Sequence, residues 1–366
     1  MDTIPLNDLG RHNAALRDQL GLAAREVVEG GWYVLGRQGE RFERKFAEYC
    51  AVPHCVGVAN GTDAIELALR CLKVGAHSRV LTVANAGMYS TIAIRSTGAV
   101  PVFVDVDPST LCMDPTSLKQ ALACQPDAVV VTHLYGRLAD VHTISGLCAE
   151  HGVPLIEDCA QAHGAQRDGR KAGSFGVMGC FSFYPTKNLG ALGDAGAVVT
   201  ADDALAKRLR QLRQYGWESK YTSAVEGGRN SRMDEIQAAF LSAKLPQLDA
   251  WNKSRRRVAS QYSQGIQNPR LHLPGQSGDD FVAHLYVIRT AGRNGLREHL
   301  RRAGIASDIH YPLADHRQPC IADRFADVAL PNTELATSQV LTLPCFPEMT
   351  DAEVQRVIEA CNTWHD

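Results

Sequence analysis

The chain lacks the marks of a disulfide framework, a zinc site or a membrane span. Its 11 cysteines include no CxxC pair, and its 13 histidines form no HxH or HExxH pattern, so no metal is expected. Scattered thiols, odd in number and without a signal peptide, suit the reducing cytoplasm. No apolar run approaches the length of a bilayer-spanning helix. An excess of one charge is missing as well. The 38 Lys and Arg against 40 Asp and Glu leave a net charge of −2, so neither nucleic acid nor a membrane surface is an expected partner. Internal repeats and low-complexity linkers are also absent. What remains is an ordinary globular composition, 366 residues with 45% hydrophobic and 21% charged side chains, with room for two domains.

Through about residue 215, short β-rich runs alternate with helical patterns. Strands are expected at 79–84, 101–106, 127–133, 154–158, 179–184 and 196–200, and helices at 114–123, 139–151 and 202–213. This alternation predicts an α/β fold whose mostly parallel sheet is covered on both faces and binds ligands beyond the carboxyl ends of its strands. From residue 233 the chain turns helical, breaks at Pro246 and resumes as a helix to about Tyr262. A strand at 284–290, a helix at 294–302 and a terminal helix at 350–361, opened by a Thr350/Glu353 capping box, complete the reading. Two domains are expected: a large one, 1–245, that includes the N-terminal segment, and a small α+β one, 246–366.

The chemistry concentrates in two places. Lys187 stands between the β-rich run at Phe181 and a glycine-rich turn, and Asp158 ends the apolar run that begins at Pro154. Alone, each is an ordinary solvated loop residue. On neighbouring strand ends, the pair suits pyridoxal phosphate (PLP). The lysine would form a Schiff base with its aldehyde, and the aspartate would keep its pyridine nitrogen protonated so that the ring accepts electrons. A third element is Asn60-Gly61-Thr62-Asp63, followed by apolar residues at 65, 68, 69 and 72 in helical spacing. Thr62 is expected to cap that helix, whose unpaired N–H groups at Gly61 and Thr62 would face a phosphate.

These motifs are joined by Gly31-Trp32-Tyr33-Val34-Leu35-Gly36, His133-Leu134-Tyr135-Gly136, Asn230-Ser231-Arg232 and His310-Tyr311-Pro312. The set resembles, nearly end to end, the DegT/DnrJ/EryC1/StrS sugar aminotransferases among the fold-type I PLP enzymes. The resemblance implies an aspartate aminotransferase-like fold with Lys187 and Asp158 as catalytic residues. It sets Gln161 at the ring hydroxyl, and Ser182 with Gly61 and Thr62 at the phosphate. Asn230 would reach the phosphate from the partner subunit, so a homodimer with shared active sites is implied. Trp32, Tyr33, His310 and Tyr311 match segments near the sugar substrate. His133 and His163 stand in motifs that approach the cofactor, and each also reads as a satisfied core histidine. Lys220, Arg229 and Arg232 are candidates for the sugar diphosphate, and L-glutamate is the expected amino donor.

One departure narrows the substrate. Many relatives place an aromatic residue in the turn that reads Ala84-Asn85-Ala86-Gly87-Met88-Tyr89 here. With Gly87 in that place, Met88 or Tyr89 must cover the cofactor face, Tyr89 by stacking. Together with Asp308–Pro312 and Asp315–Pro319, this turn resembles the subgroup that aminates carbon 3 of dTDP-linked 3-keto-6-deoxyhexoses. The runner-up is a 4-aminotransferase of a UDP- or dTDP-linked 4-keto-6-deoxyhexose. A non-catalytic PLP-binding regulatory protein is the remaining alternative, disfavoured by the intact set Asp158, Gln161, Ser182 and Lys187. Related dehydratases carry histidine at the lysine position, so Lys187 argues against them.

Overall fold

A computed structural model describes residues 3–275 and 278–365. At its centre is a sheet of seven strands: β1 His54–Val58, β2 Arg79–Val83, β3 Val100–Val104, β4 Ala128–Thr132, β5 Leu155–Asp158, β6 Met178–Ser182 and β7 Gly196–Thr200. Their spatial order is β1-β7-β6-β5-β4-β2-β3. Strands β6, β5, β4, β2 and β3 pair in parallel, whereas β7 runs antiparallel to both of its neighbours. Every residue of β4 and β7 is buried, the continuous apolar pattern of strands covered on two sides. Six of the seven were legible as expected. β1 was not, because Gly57 interrupts its apolar run. Cβ at that position would stand 3.2 Å from Met233 Cβ, so close packing there favours the weak strand former.

Helices cover both faces. On one face Leu67 and Leu69 of helix α1 (Gly61–Cys71) pack with Val130, Ile156 and Val198. On the other, Phe46 meets Phe181 and Phe183 edge-on, with ring centroids 4.9 and 5.2 Å apart. Burial of each such side chain contributes about 1.5–3 kcal/mol. The N-terminal helices 17–30 and 37–49, which were not anticipated, supply this aromatic layer and its outer cover.

Helix α2 (Tyr89–Ser96) follows β2, and α3 (Glu235–Lys244) is separated from α4 (Leu248–Gly265) by a single 3-10 turn at Leu245–Gln247. Pro246 causes that break by removing a backbone donor. Beyond it, Val258, Tyr262, Leu300 and Val357 form a core of their own around the antiparallel pair β8 (Tyr286–Arg289) and β9 (Val340–Leu343). The expected Thr350/Glu353 box is present: Glu353 N–H donates to Thr350 Oγ1 at 3.2 Å, and Thr350 N–H donates to Glu353 Oε2 at 2.8 Å. Ile4 joins this C-terminal core, whereas the N-terminal segment was expected to group with residues up to 245. The reason is non-local. Ile4 N–H donates to the Gly304 carbonyl at 2.9 Å, and Ala306 N–H to the Ile4 carbonyl at 2.9 Å. Among the described residues, no helix is long and apolar enough to cross a membrane.

Candidate active site

The carboxyl ends of β4, β5 and β6 lie side by side and carry Thr132, Asp158 and Ser182. Because successive strand residues point to opposite faces, adjacent acids on β5 have different tasks. Glu157 is fully buried and accepts from the amides of Gly173, Phe175 and Gly176 at 2.7–2.9 Å and from His133 Nε2 at 2.9 Å. Those four bonds occupy both carboxylate oxygens, so Glu157 is a clamp on the following loop. His133 and Cys159 lie beside it, and His133 is the satisfied core histidine of the two readings, its Nδ1 accepting from Ala139 N–H at 3.2 Å. Asp158 instead accepts from Ser90 Oγ at 3.1 Å, Thr132 Oγ1 at 3.3 Å and Ala160 N–H at 3.1 Å.

Lys187 sits in the loop between β6 and β7, which α3 holds from outside. Lys244 Nζ donates to the Gly190 carbonyl at 2.9 Å, and Leu192 N–H donates to Gln237 Oε1 at 2.9 Å. The Lys187 side chain opens into a cavity of about 480 Å³ that is also lined by Tyr89, Gln161, His310 and Tyr311. Burial pulls its ammonium down to about 8, and the negative charge of Asp158 opposes that shift. A large share of this amine is therefore neutral and nucleophilic near pH 8. Burial, and then Lys187, push the His163 imidazole down to about 3. Neither ring nitrogen of His163 has a hydrogen-bond partner among the described residues, and the ring lies tilted against Phe181 and Phe183.

The Gln161 amide has one orientation. Its Oε1 accepts from Tyr135 N–H at 2.6 Å, which turns Nε2 toward the Tyr311 hydroxyl at 3.2 Å. Tyr135 adopts a left-handed backbone, φ 60°, to present that amide. Its part in the site was missed, although the His133-Leu134-Tyr135-Gly136 motif carries the signal. At the neighbouring strand end, Cβ at Gly61 would come within 2.5 Å of Ser182 Cβ, so only glycine lets the start of α1 approach so closely. The cap of α1 differs from expectation. Asn60, not Thr62, holds the cap position, its Oδ1 accepting from Asp63 N–H at 2.8 Å. With the helix starting at Gly61, both Gly61 and Thr62 lie in the first turn, where N–H groups have no intrahelical acceptor.

The space at Gly87 is taken from across the molecule. A Cβ there would meet the Tyr311 ring at 2.8 Å, and Gly87 has φ +75°. Met88 packs away, toward Ala84, Phe103, Ile321 and Leu330, and Tyr89 stands edge-on to Tyr311 with ring centroids 6.1 Å apart. Asp315 fixes this turn by accepting from Met88 N–H at 2.9 Å and Thr91 Oγ1 at 2.6 Å.

Other expected residues lie outside this cavity. Trp32 and Tyr33 are exposed, and Asn230 is exposed in a loop bridged to Gln214. Of the cations considered for a diphosphate, Arg229 is engaged with Glu66 at 2.5 Å and Asp63 at 3.5 Å, and Arg232 lies over the Tyr215 ring. Lys220 is exposed. Asp308, from the expected Asp308–Pro312 segment, lines the cavity, and so do Arg255 and His284, which were not anticipated because nothing in chain order connects them to Lys187.

Residues 15–362 match the sequence profile of the DegT/DnrJ/EryC1/StrS aminotransferase family. The chain belongs to that family. This aminotransferase is 42% identical over 362 residues to the dTDP-3-amino-3,6-dideoxy-alpha-D-galactopyranose transaminase of Aneurinibacillus thermoaerophilus, covering 99% of each chain. It is 40% identical over 356 residues to a UDP-N-acetyl-3-dehydro-alpha-D-glucosamine 3-aminotransferase of Acidithiobacillus ferrooxidans, covering 97% of this chain and 96% of the other. Among solved structures, S. venezuelae DesV in complex with a ketimine intermediate superposes with a TM-score of 0.96 at 40% identity, over 100% of this chain and 99% of that one.

The family is PLP-dependent, and the residues of this aminotransferase fit the cofactor. A desolvated amine suits its aldehyde, a buried carboxylate its ring nitrogen, and the oriented Gln161 donor its ring hydroxyl. The first-turn amides beside Ser182 form a cradle that a side chain at position 61 would fill.

Proposed function

We propose that this enzyme transfers the amino group of L-glutamate to carbon 3 of a dTDP-3-keto-6-deoxyhexose, as a cytoplasmic homodimer with shared active sites. The observation that carries the amino-transfer reading is a half-buried, depressed-pKa lysine that opens into a cavity and is electrostatically coupled to the acid at the end of β5. The separate C-terminal core beyond the Pro246 break supports a small domain from 246 and a large domain to residue 245, with Ile4 reaching across to the small one. All 11 cysteines are free, which supports a reducing compartment.

When bound, PLP supplies an electron sink for negative charge at the carbon bearing the amine. Lys187 Nζ would take the proton from the donor α-carbon and deliver it to the cofactor C4′ carbon, acting as base and then acid, and would run the same transfer in the opposite direction with the keto sugar. Asp158 pairs with the protonated ring nitrogen, held in place by Ser90, Thr132 and the Ala160 amide. Gln161 Nε2 donates to the ring hydroxyl. Ser182 and the amides of Gly61 and Thr62 would hold the phosphate, and Tyr89 would cover the ring. His310 and Tyr311 meet the sugar.

Carbon 3 is supported by the named 3-amino product of one relative and the 3-amino transfer of another, whose nucleotides differ. The Tyr311 ring that occupies the space beside Gly87 gives that preference a shape. A dTDP-3-keto-6-deoxyhexose is expected to be aminated in preference to its 4-keto isomer by at least about tenfold in kcat/KM, roughly 1.4 kcal/mol of transition-state discrimination. NMR of the product reads the position of the amine. An amine at carbon 4 from the preferred substrate refutes the regiochemistry and leaves amino transfer intact.

Asn230 is exposed and outside this chain's own cavity, which supports its delivery to a partner's site across a two-fold axis. Inactive Lys187→Ala and Asn230→Ala chains, mixed as heterodimers, should then recover activity in one site of two, about half of the wild-type value per heterodimer. Verified heterodimers without any rescue, given a strongly impaired Asn230→Ala homodimer, exclude the shared site. Trp32 and Tyr33 are also exposed and are assigned to the same interfacial rim beside the sugar.

A further inference from the structure

The cavity wall contains a positive charge that the chemistry above does not use. Arg255, on α4, lines it beside His284 and Cys345 and is only 3% exposed. Its Nη1 donates to the carbonyls of Cys345 at 2.5 Å and His284 at 3.2 Å, and its Nε has no partner among the described residues. Among the described residues no carboxylate lies within ion-pair distance of it, although Glu348 is close enough to act on its charge, in contrast to the direct pairs of Arg213 with Glu43 and Arg229 with Glu66. A guanidinium does not deprotonate in a protein, and the nearby Glu348 carboxylate favours its charge without bonding to it, so its hydrogen-bonding capacity is not filled by a carboxylate. The Nε/Nη2 edge is the side of the fork that suits a carboxylate. His284 feels both positive charges, Lys187 and Arg255, so the two cations flank one imidazole that burial keeps neutral.

We propose that Arg255 receives a carboxylate of the amino donor, L-glutamate as it enters and 2-oxoglutarate as it leaves. This deepens the function proposed above and rests on it. Of the two substrates that take turns in the cavity, the donor is small, carries two carboxylates and can be enclosed completely. The nucleotide sugar carries its negative charge on a diphosphate joined to a nucleoside, which extends toward the mouth of the cavity, and its hexose is uncharged. A cation at the buried wall therefore complements the donor. It also lets one cavity accept both substrates, because the hexose meets Asp308, His310 and Tyr311 and leaves the guanidinium to water.

The test is calorimetric titration of the PLP-loaded enzyme with glutarate, an unreactive dicarboxylate without the amine. Glutarate should bind the wild type, and Arg255→Gln should weaken it at least about tenfold. Arg255→Lys keeps the charge and loses the fork, and should weaken it at least about threefold. The affinity for dTDP should stay unchanged in both. Unchanged glutarate affinity in either folded variant overturns the proposal, as does a wild type that does not bind glutarate. An equal loss of dTDP affinity also overturns it, because the charge would then serve the diphosphate. Where Arg255→Gln does not fold, Arg255→Lys decides by the same criterion. Mass spectrometry of wild-type products from glutamate and keto sugars tests the parent reading separately. Glutarate bound through Arg255 without amine transfer from glutamate refutes the parent reading and overturns the donor assignment, whereas amine transfer from glutamate with unchanged glutarate affinity in the variants overturns this proposal alone.

Discussion

Lys187→Ala should lower multiple-turnover amino transfer at least about a thousandfold, close to 4 kcal/mol of transition-state stabilisation. The expectation follows from the state of the amine. Burial brings its pKa to about 8, so a neutral nucleophile and a protonated acid are both well populated near the working pH of an ordinary cell. Alanine removes the covalent anchor of the cofactor and the group that moves the proton, and no other lysine lines the cavity among the described residues. The loop itself should survive. Its shape rests on backbone bonds from Ala191 N–H to the Phe183 carbonyl at 2.8 Å and on the Lys244 contact to Gly190, none of which uses the Lys187 side chain. The variant should therefore fold and lose the visible absorption of lysine-bound PLP. Turnover at the wild-type rate would refute the assignment.

Asp158→Asn should keep the fold and lose at least about a hundredfold in kcat, roughly 2.7 kcal/mol. Asparagine is the same size, its amide oxygen can keep the Ala160 N–H bond, and its amide nitrogen can donate to the Ser90 and Thr132 hydroxyls, which can turn to accept, so the melting temperature should change little. What disappears is the negative charge. Without it the ring nitrogen loses the partner that favours its protonated form, and the electron sink weakens. The same charge raises the pKa of Lys187, so its removal should lower the pKa governing the acid limb of the rate profile. Near-normal turnover with PLP bound would show that the protonated ring nitrogen is not needed here.

The sequence determined more of this protein than composition suggests. Six strands of the central sheet could be placed because β2 to β7 are short, mostly apolar runs, and such runs need no knowledge of their neighbours. Lys187, Asp158 and the turn before α1 were also legible, because strand ends and glycine turns are local features. β9 and the N-terminal helices 17–30 and 37–49 were not, since their stability comes from partners distant in the chain.

The site divides in the same way. Local motifs named Gln161 and Ser182, yet the direction of the Gln161 amide depends on Tyr135, 26 residues away, and on Tyr311, 150 residues away. Chain order gave no reason for Tyr311 to fill the space beside Gly87, for Ile4 to join the C-terminal core, or for Arg229 to be engaged by Glu66. Arg255 looks in sequence like any basic residue of an amphipathic helix. Only the fold buries it against two carbonyls and turns it to the cavity of Lys187. A sequence by itself determines what depends on neighbouring residues: the periodicity of strands, a helix start, a lysine after a strand. Which distant side chains compete for one space or one hydrogen bond is decided by the tertiary structure, because close packing and partner satisfaction are properties of the whole fold.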